Sequence, residues 1–216
     1  IAHEIKNPLT PIQLSAERMG LKLAPRLDDE GRAMLERATT TIVNQVEAMK
    51  NLVNAFRDYA RLPSPNLARV DLNALIHEVL ALYETSPVPI HTALSDVLPP
   101  IVGDASQLRQ VIHNLLQNAQ DAMTSSPTGQ ITIATSVRRT GRVRLSITDE
   151  GAGFPHEMLN RAFEPYYTTK QRGSGLGLAI VKKIIDEHGG DIRLINREAG
   201  GAEVRIHLRP ATEDTD

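Results

Sequence analysis

Apolar residues recur at every third or fourth position over residues 1–61, in two runs separated by a short break. This period predicts two amphipathic helices. Pro25 and the pair Asp28 and Asp29 mark the turn, since acidic side chains are favoured at a helix N-terminus. The heptad-like spacing favours a four-helix bundle of two chains over an intramolecular hairpin packed on the rest of the chain. The apolar positions are Ile1, Ile5, Leu9, Ile12, Ala16, Met19 and Leu23, then Leu35, Ala38, Ile42, Val46, Met49, Val53, Phe56 and Ala60.

Residues 62–69 are predicted to form a linker, because two prolines within three residues, Pro63 and Pro65, stop a helix. Beyond the linker, helical periodicity alternates with the apolar–polar alternation typical of half-buried strands. The predicted helices cover about 72–83, 104–123 and 176–188, and the predicted strands cover 131–137, 143–148, 191–196 and 202–208, with two short ones near Ile90 and Ile101.

These elements predict an α+β fold with two domains. Residues 1–61 form a two-helix antiparallel hairpin that dimerises into a four-helix bundle. Residues 70–211 form an α/β sandwich, in which helices cover one face of a mixed sheet. The polar tail, residues 212–216, is expected to be disordered.

Composition narrows the function classes. The chain has 216 residues, 41% hydrophobic and 23% charged, as expected of a soluble globular protein. The absence of cysteine excludes disulfides and thiolate metal sites. A net charge of −2 gives no reason to expect nucleic-acid or membrane binding. The chain begins at Ile1 without Met, so we interpret it as a cytoplasmic fragment of a longer protein, whose upstream segments could anchor it in the inner membrane.

Asn114 and Asn118 lie four residues apart, so they share one face of the predicted helix 104–123. A neutral amide oxygen is a suitable ligand for Mg²⁺, which keeps several waters and binds phosphates beside one or two protein oxygens. Taken alone, the pair is more typical of solvated asparagines on an amphipathic helix. Its interpretation depends on the segments that follow.

Asp149 ends a predicted strand, and Gly151 and Gly153 follow it. A carboxylate at a strand end can accept a hydrogen bond from the exocyclic amine of adenine, and glycines let the backbone approach a base closely. The alternative is an ordinary Asp-x-Gly turn.

A glycine-rich segment, residues 173–177, precedes the last predicted helix, where phosphates can meet backbone amides and the positive end of the helix dipole. The spacing is neither that of a dinucleotide fingerprint nor that of a P-loop. Residues 163–170 before it are long and polar, as in a mobile lid. Lys170 and Arg172 could neutralise phosphate charge, although solvated loop charges are an equally good interpretation.

In this order and spacing, the three segments resemble the N, G1 and G2 boxes of the histidine-kinase branch of the gyrase–Hsp90–kinase ATP-binding family. Phe163-Glu-Pro-Tyr166 resembles the F box, and the resemblance covers most of residues 70–210. It implies ATP and Mg²⁺ as ligands, with Asn118 as the metal ligand and Asp149 holding adenine. The implied nucleotide site comprises Asn114, Asn118, Asp149, Gly151, Gly153, Phe163, Thr169, Lys170, Gly173, Ser174, Gly175, Leu176 and Gly177.

Asn114 stands where the ATPase branch of that family carries a water-activating glutamate. An amide cannot act as a general base, which favours phosphoryl transfer over hydrolysis of ATP.

His3 falls between Ile1 and Ile5, off the apolar stripe, and is expected to be exposed. A neutral imidazole is a competent nucleophile, and Glu4 can accept the proton of one ring nitrogen while the other attacks a phosphoryl group. Asn7, one turn further on the same face, could position a water. A zinc-protease motif is excluded, because it needs a second histidine at position 7.

His3-Glu4-Ile5-Lys6-Asn7-Pro8-Leu9-Thr10 resembles the H box of sensor histidine kinases. This implies that His3 accepts the phosphoryl group, that Glu4 assists, and that Asn7 supports dephosphorylation of the partner. Residues 11–18 and 164–170 are similar to the NtrY-type nitrogen-regulatory kinases. The resemblance implies a homodimer that phosphorylates the receiver domain of an NtrX-like response regulator. A gyrase-type hydrolytic ATPase and a non-catalytic nucleotide-binding scaffold remain as alternatives.

Overall fold

The structure is a computed structural model that describes residues 2–60, 62–125, 129–170 and 173–212; the side chains of residues 2–6, 55, 58 and 125 lie outside this description. Contacts between residues divide the chain into two compact units. The helical unit comprises Ile1–Leu62 and Tyr166–Leu176, and the sheet unit comprises Pro63–Pro165 and Gly177–Asp216. Of the predicted disordered tail, residues 213–216 lie outside the described residues.

Two helices form the first part of the helical unit, as predicted. Helix α1 spans Ala2–Leu23, helix α2 spans Asp29–Ala60, and a short 3₁₀ turn at Ala24–Arg26 lies between them. The Asp28 carboxylate accepts a hydrogen bond of 2.9 Å from the amide of Gly31. A side chain that satisfies a free amide of the first helical turn fixes where a helix begins.

Among the described side chains of the two helices, only a few are buried in one copy of the chain. They are Leu9 and Ala16 on α1, and Val46 and Val53 on α2. A hydrogen bond of 2.6 Å from Lys50 Nζ to Gln13 Oε1 also joins α1 to α2. Many other apolar side chains of the helices stay exposed, including Ile12, Leu14, Met19, Leu21, Met34, Met49, Leu52 and Phe56.

The sheet unit contains the predicted mixed sheet. In chain order the strands of the protein are β1 (Ala68–Val70), β2 (Ile90–Ala93), β3 (Ile101–Gly103), β4 (Ile131–Val137), β5 (Val143–Asp149), β6 (Asp191–Asn196) and β7 (Ala202–Leu208). The mixed sheet has the strand order β2-β4-β5-β7-β6, with β2 parallel to β4 and the remaining neighbours antiparallel. Alternate residues of β4, β5 and β7 are buried, as expected where one face of a sheet packs on helices.

Helices α3 and α4 begin at aspartate caps, Asp71 and Asp104, and α6 ends just before His188. The short helix α5 was not predicted. Met158 is its single buried residue, so no apolar period marks it in the sequence. The helices are α3 (Leu72–Leu80), α4 (Ala105–Ala122), α5 (His156–Arg161) and α6 (Gly177–Glu187), with 3₁₀ turns at Ala81–Tyr83 and Met123–Ser125.

A second, two-stranded sheet pairs β1 with β3 in antiparallel register. The predicted linker, residues 62–69, therefore reaches into folded structure, because residues 68 and 69 belong to β1. This strand escaped prediction because it has three residues and a single buried side chain, Val70. A segment this short carries too little alternation to be recognised from its sequence.

Candidate nucleotide site

Helix α4 presents the two asparagines of the candidate site. Asp104 Oδ1 caps the helix by accepting hydrogen bonds from the amides of Ser106, at 2.9 Å, and Gln107, at 3.1 Å. Asn114 and Asn118 lie half-buried on one flank of the helix. The adjoining stripe is buried and consists of Leu108, Val111, Ile112, Leu115, Leu116 and Ala119. Burial of that stripe fixes the rotation of the helix and so the direction of the asparagines.

The environment of these asparagines suits a ligand. The Nδ2 atom of Asn114 is buried and has no hydrogen-bond partner in the described part of the chain. A Cβ built on Gly177 would lie 3.9 Å from Asn118 Nδ2, so Asn118 faces the first residue of α6. The free amides of a helix N-terminus favour phosphate groups. Asn118 and the start of α6 thus lie where a phosphate chain and its metal could be held together.

Asp149 lies at the end of β5 and is 7% exposed. Its Oδ1 atom accepts hydrogen bonds from the amides of Gly151, at 2.9 Å, and Ala202, at 3.3 Å. Burial raises the pKa of Asp149 above its ordinary value, although these two hydrogen bonds and the charge of Arg197 act in the opposite direction. Within the described residues Oδ2 accepts no hydrogen bond, so it is available to a donor on a ligand.

The turn after Asp149 requires its glycines. A Cβ on Gly151 would lie 2.5 Å from the carbonyl oxygen of Ala122, at the end of α4. Gly153 has a φ of +70°, which favours glycine. Asn196 holds the next residue through two hydrogen bonds, accepting from the amide of Phe154 at 2.8 Å and donating to its carbonyl at 2.7 Å. Sequence reasoning did not identify this role of Asn196.

Gly201, just before β7, is a second residue that sequence reasoning missed. Its φ is +79°, and a Cβ there would lie 2.0 Å from the carbonyl oxygen of Asp149. The next residue, Ala202, donates to the Asp149 carboxylate. The Gly200–Gly201 pair is the only local signal, and by itself it indicates no more than a turn.

Phe163 is half-buried and lies two residues after the end of α5. The neighbouring Glu164 forms an exposed ion pair of 2.9 Å with Arg161, one turn earlier. Phe163 thus belongs to the sheet unit, with Asn114, Asn118, Asp149, Gly151, Gly153 and Gly177.

The other predicted site residues lie in the Tyr166–Leu176 part of the helical unit. This segment folds back on itself: the amide of Tyr166 donates to the carbonyl of Gly175 at 3.0 Å, and both residues have positive φ. A Cβ on Gly175 would lie 2.5 Å from the Tyr166 carbonyl carbon, so Gly175 is required there. The predicted residues in this segment are Thr169, Lys170, Gly173, Ser174, Gly175 and Leu176. Arg172 lies outside the described residues.

Local hydrogen bonds shape the same segment. The amide of Leu176 donates to Ser174 Oγ at 3.3 Å, and the amide of Lys170 donates to Thr168 Oγ1 at 3.1 Å. The amide of Gly173 donates to the carbonyl of Lys170 at 3.3 Å. Leu176 is fully buried, whereas Thr169 and Lys170 are exposed.

The predicted phosphoacceptor lies near the start of α1. His3 and Glu4 are part of this helix, but their side chains lie outside the described residues. Asn7 is exposed, and Pro8 lies within the helix. The expected exposure of His3 therefore stays a prediction.

Comparison with protein families agrees with this geometry. The model described as "Histidine kinase-, DNA gyrase B-, and HSP90-like ATPase" matches residues 103–212, just over half of the chain. The chain belongs to this ATPase family. Residues 1–65 match a second model, the "His Kinase A (phospho-acceptor) domain". The first match contains Asn114, Asn118, Asp149 and the glycine-rich segment, and the second contains His3.

Curated relatives of this chain include a nitrogen regulation protein and putative sensor histidine kinases. The nitrogen regulation protein NtrY of Azorhizobium caulinodans is 39% identical over an alignment that covers 100% of this chain and 29% of that protein. A putative NtrY-like sensor histidine kinase of Rickettsia conorii is 38% identical, over 95% of this chain and 34% of that protein. The chain thus spans about a third of the length of the curated relatives it matches.

Solved structures extend the likeness to the fold. The histidine kinase ThkA, in complex with the response regulator protein TrrA, is 31% identical with a TM-score of 0.71, over 99% of this chain and 60% of that chain. Full-length ShkA in complex with AMPPNP is 28% identical with a TM-score of 0.70, over 98% of this chain and 45% of that chain. Within the described residues of our structure, no helix is both long and apolar enough to cross a membrane.

Proposed function

We propose that this chain is the catalytic core of a dimeric sensor histidine kinase of a two-component system. ATP phosphorylates His3, and the phosphoryl group then passes to an aspartate of a response regulator. One observation carries the proposal: a phospho-acceptor domain precedes an ATPase domain in which Asn114 and Asn118 line the candidate phosphate site. With an amide at position 114, the site lacks the base that hydrolysis of ATP would need there.

The sheet unit binds the nucleotide in this proposal. Oδ2 of Asp149 accepts a hydrogen bond from the adenine amine, since its partner oxygen is already occupied by the amides of Gly151 and Ala202. The unsatisfied Nδ2 of Asn114 donates to a phosphate oxygen. The amide oxygen of Asn118 would hold Mg²⁺, a hard cation that would neutralise the charge of the phosphates.

The glycine-rich segment and the residues before it complete the site. We assign the amides of Gly173, Gly175 and Gly177 to the phosphates and Lys170 to their charge, with Thr169 and Ser174 as polar contacts. Gly151, Gly153, Phe163 and Leu176 shape the walls of the pocket. Residues 163–170 act as a lid that excludes water.

The transfer step balances in atoms and charge. A lone pair on one ring nitrogen of His3 forms a bond to the γ-phosphorus while the bond from that phosphorus to the bridging oxygen of ADP breaks. Glu4 takes the proton from the other ring nitrogen, so the phosphorylated imidazole does not build up positive charge. A positioned neutral imidazole and a shielded γ-phosphate are then sufficient for transfer.

The test is incubation with γ-labelled ATP and Mg²⁺, comparing wild type with His3→Gln. Label that is acid-labile, alkali-stable and absent from His3→Gln is the expected result. The matched control is His91→Gln, which changes an exposed histidine of β2 and should leave the labelling intact.

Other results of this experiment would favour the alternatives. ATP turnover in the steady state that far exceeds the labelled protein would indicate a hydrolytic ATPase. ATP binding without any label would indicate a nucleotide-binding scaffold. Label that persists in His3→Gln would place the phosphoacceptor at another residue.

We further propose that two copies associate through the helical unit and that the core works in the cytoplasm of a membrane-anchored protein. The exposed apolar side chains of α1 and α2 support association, because they form surface that water disfavours. The partner is the receiver domain of an NtrX-like response regulator. The NtrY relatives and the ThkA–TrrA complex support this choice of partner.

Asn7 gives the same core a second activity, dephosphorylation of the phosphorylated partner. Its side chain is exposed one helical turn after His3, where an amide can position the attacking water. Asn7→Ala should retain phosphorylation of His3 but lose most dephosphorylation of a labelled receiver domain. A normal dephosphorylation rate in Asn7→Ala would remove this role.

A further inference from the structure

The chain that enters the sheet unit is held there before its first strand begins. The amide of Asn66 donates a hydrogen bond of 2.9 Å to Asp104 Oδ2. The side chain of Gln107 donates one of 2.8 Å, from Nε2, to the carbonyl of Pro63. From Pro63 onward, therefore, this segment is tied to α4, although its prolines and its exposure are typical of a flexible linker.

The Asp104 carboxylate serves two different segments at once. Its Oδ1 atom caps α4, and its Oδ2 atom holds the amide of Asn66. Burial alone would raise the pKa of Asp104, but hydrogen bonds from the amides of Asn66, Gln107 and Ser106 outweigh it and lower the pKa. Asp104 is thus charged at neutral pH, and a hydrogen bond to a charged acceptor is stronger than one to a neutral acceptor.

A buried histidine fixes the backbone of Asp104. His188 is 4% exposed, and its Nε2 atom lies 2.9 Å from the amide nitrogen of Asp104. An amide can only donate, so Nε2 carries no proton, and Nδ1 donates to the carbonyl of Ile184 at 2.7 Å. Gly103 leaves room for the ring, because a Cβ there would lie 3.2 Å from His188 Cδ2 and 2.6 Å from Leu108 Cδ1.

His188 lies at the C-terminal end of α6, and the N-terminal end of the same helix lies in the candidate phosphate site. It follows the last turn of α6, whose first residue, Gly177, faces Asn118 in the candidate phosphate site. A rigid helix therefore runs from the phosphate site to the residues that hold Pro63 and Asn66. Close-packed interiors transmit strain, and the packed face of α6 includes Val181, Ile184 and Ile185.

We infer that Asp104, Gln107 and His188 form a linker anchor that holds residues 63–66 on the ATP-binding domain. These positioning residues confine the pivot between the two domains to the residues that precede Pro63. A short pivot limits the orientations that the domain samples, so the γ-phosphate meets His3 more often. The effect on transfer rests on the proposed kinase function, whereas the anchoring itself does not.

Asp104→Asn separates anchoring from helix capping. Asparagine is as good a cap as aspartate, so its Oδ1 atom can still serve Ser106 and Gln107. Its second atom becomes an NH₂ group that meets the Asn66 amide, donor against donor. The matched control is Asp71→Asn, the same change at the cap of α3, where the carboxylate accepts from Ala74.

Hydrogen exchange on the whole chain measures the anchor directly. Asp104→Asn should speed exchange of the Asn66 amide by about tenfold or more, since a hydrogen bond to a charged group is lost. Asp71→Asn should leave that amide unchanged. An Asn66 amide that exchanges in Asp104→Asn as slowly as in wild type would overturn the anchor.

Phosphorylation and nucleotide binding then test the positioning role. In Asp104→Asn the affinity for ATP and its KM should stay unchanged, while labelling of His3 slows by about tenfold because the γ-phosphate is less well oriented. Faster exchange with an unchanged labelling rate would overturn the positioning role. If wild type carries no label on His3, the proposed function fails, and exchange alone decides on the anchor.

Gln107→Met is the second variant, for the case in which Asp104→Asn does not fold. It removes the donor to Pro63 and also an acceptor, Oε1, that is buried without a partner in the described residues. Loss of a buried unsatisfied acceptor keeps the fold stable, and the exposed Pro63 carbonyl can bind water instead. This variant should also slow labelling of His3 without altering ATP affinity, and wild-type labelling in it would contradict the positioning role.

Discussion

The two units of this chain differ in how far a single copy completes its own core. In the sheet unit, α3, α4 and α6 bury their apolar faces almost completely, with Ile76, Val79, Leu116, Val181 and Ile184 inaccessible to water. In the helical unit, two helices of 22 and 32 residues bury only Leu9, Ala16, Val46 and Val53 among the apolar side chains that the structure describes. Apolar stripes on both helices remain in water.

This difference indicates that the two units are stabilised in different ways. A closed core stabilises the sheet unit within one chain, so this unit should bind nucleotide whether or not two chains associate. In the proposed dimer a second copy buries the stripes of the helical unit, so the stability of this unit should depend on protein concentration. Variants that act on one unit and spare the other can test this distinction.

The largest effect is expected from Gly201→Ala in the sheet unit. Its new Cβ would lie 2.0 Å from the carbonyl of Asp149, so either β5 or the turn before β7 must move. Overpacking of this kind costs about 3 kcal/mol, and the positive φ adds to that cost. We expect the unfolding temperature of the sheet unit to fall by roughly 10 °C and ATP binding to be lost, measured by calorimetry and by titration with a fluorescent ATP analogue.

Gly200→Ala is the control for that change. Gly200 also has a positive φ, +94°, but a Cβ there meets no atom within 4 Å. Its cost should be limited to backbone strain, about 1 kcal/mol, with ATP binding retained. If both variants behave alike, strain at the turn rather than contact with Asp149 limits the site.

A smaller effect on folding, but a large one on association, is expected from Ile12→Glu combined with Met19→Glu. These side chains are 48% and 44% exposed and line one surface groove of about 290 Å³ with Ile42. Charges placed in an apolar seam between two copies lose hydration, so the dimer should weaken by at least about 100-fold. Analytical ultracentrifugation measures this dissociation.

Leu82→Glu tests whether any exposed apolar residue would act in this way. Leu82 belongs to the sheet unit and is 73% exposed. Because the sheet unit closes its core without a partner, Leu82→Glu should leave the sedimentation coefficient unchanged. Dissociation in this control would show that the sheet unit also contributes to the interface.

The elements predicted from sequence are those with long apolar periods. Helices α1, α2, α4 and α6 and strands β4 to β7 each span six or more residues, enough for a period to be recognised. The two elements that escaped prediction, β1 and α5, each bury one side chain. Their positions depend on pairing with β3 and on the neighbouring turns, which leave no mark on the local sequence.

Candidate site residues divide in a similar way. Asn118 and Asp149 could be identified because a motif contains them and the chemistry of a ligand explains their type. Asn196 and Gly201 could not, because their importance lies in contacts with the Phe154 and Asp149 backbones, 42 and 52 positions away. Such approaches arise only when β6 and β7 join the sheet beside β5.

The smallest effect on stability, and the one most specific to the site, is expected from Asp149→Asn. Burial raises the folded-state pKa of Asp149 above its ordinary value of 3.8. The folded protein therefore binds this proton more tightly than the unfolded chain, and ionisation costs stability at neutral pH. That cost fades as the pH falls through the folded-state pKa and is absent below the unfolded value. Asparagine has no such cost, so the ATP-free variant should unfold about 2–4 °C above wild type at pH 7.

The pH dependence of stability distinguishes Asp149 from Asp104 of the linker anchor, because the two substitutions change stability at pH 7 in opposite directions. The difference between Asp149→Asn and wild type should shrink in acid, as wild-type Asp149 becomes neutral. Asp104 has a lowered folded-state pKa, so its carboxylate stabilises the fold above the unfolded value, and this contribution is lost as the pH falls through the folded-state pKa. Asp104→Asn should therefore be less stable than wild type at pH 7, and this loss of stability should also disappear in acid.

A site that binds ligand tolerates a buried charge at a cost in stability, so Asp149→Asn should bind ATP at least about tenfold more weakly although it is the more stable protein.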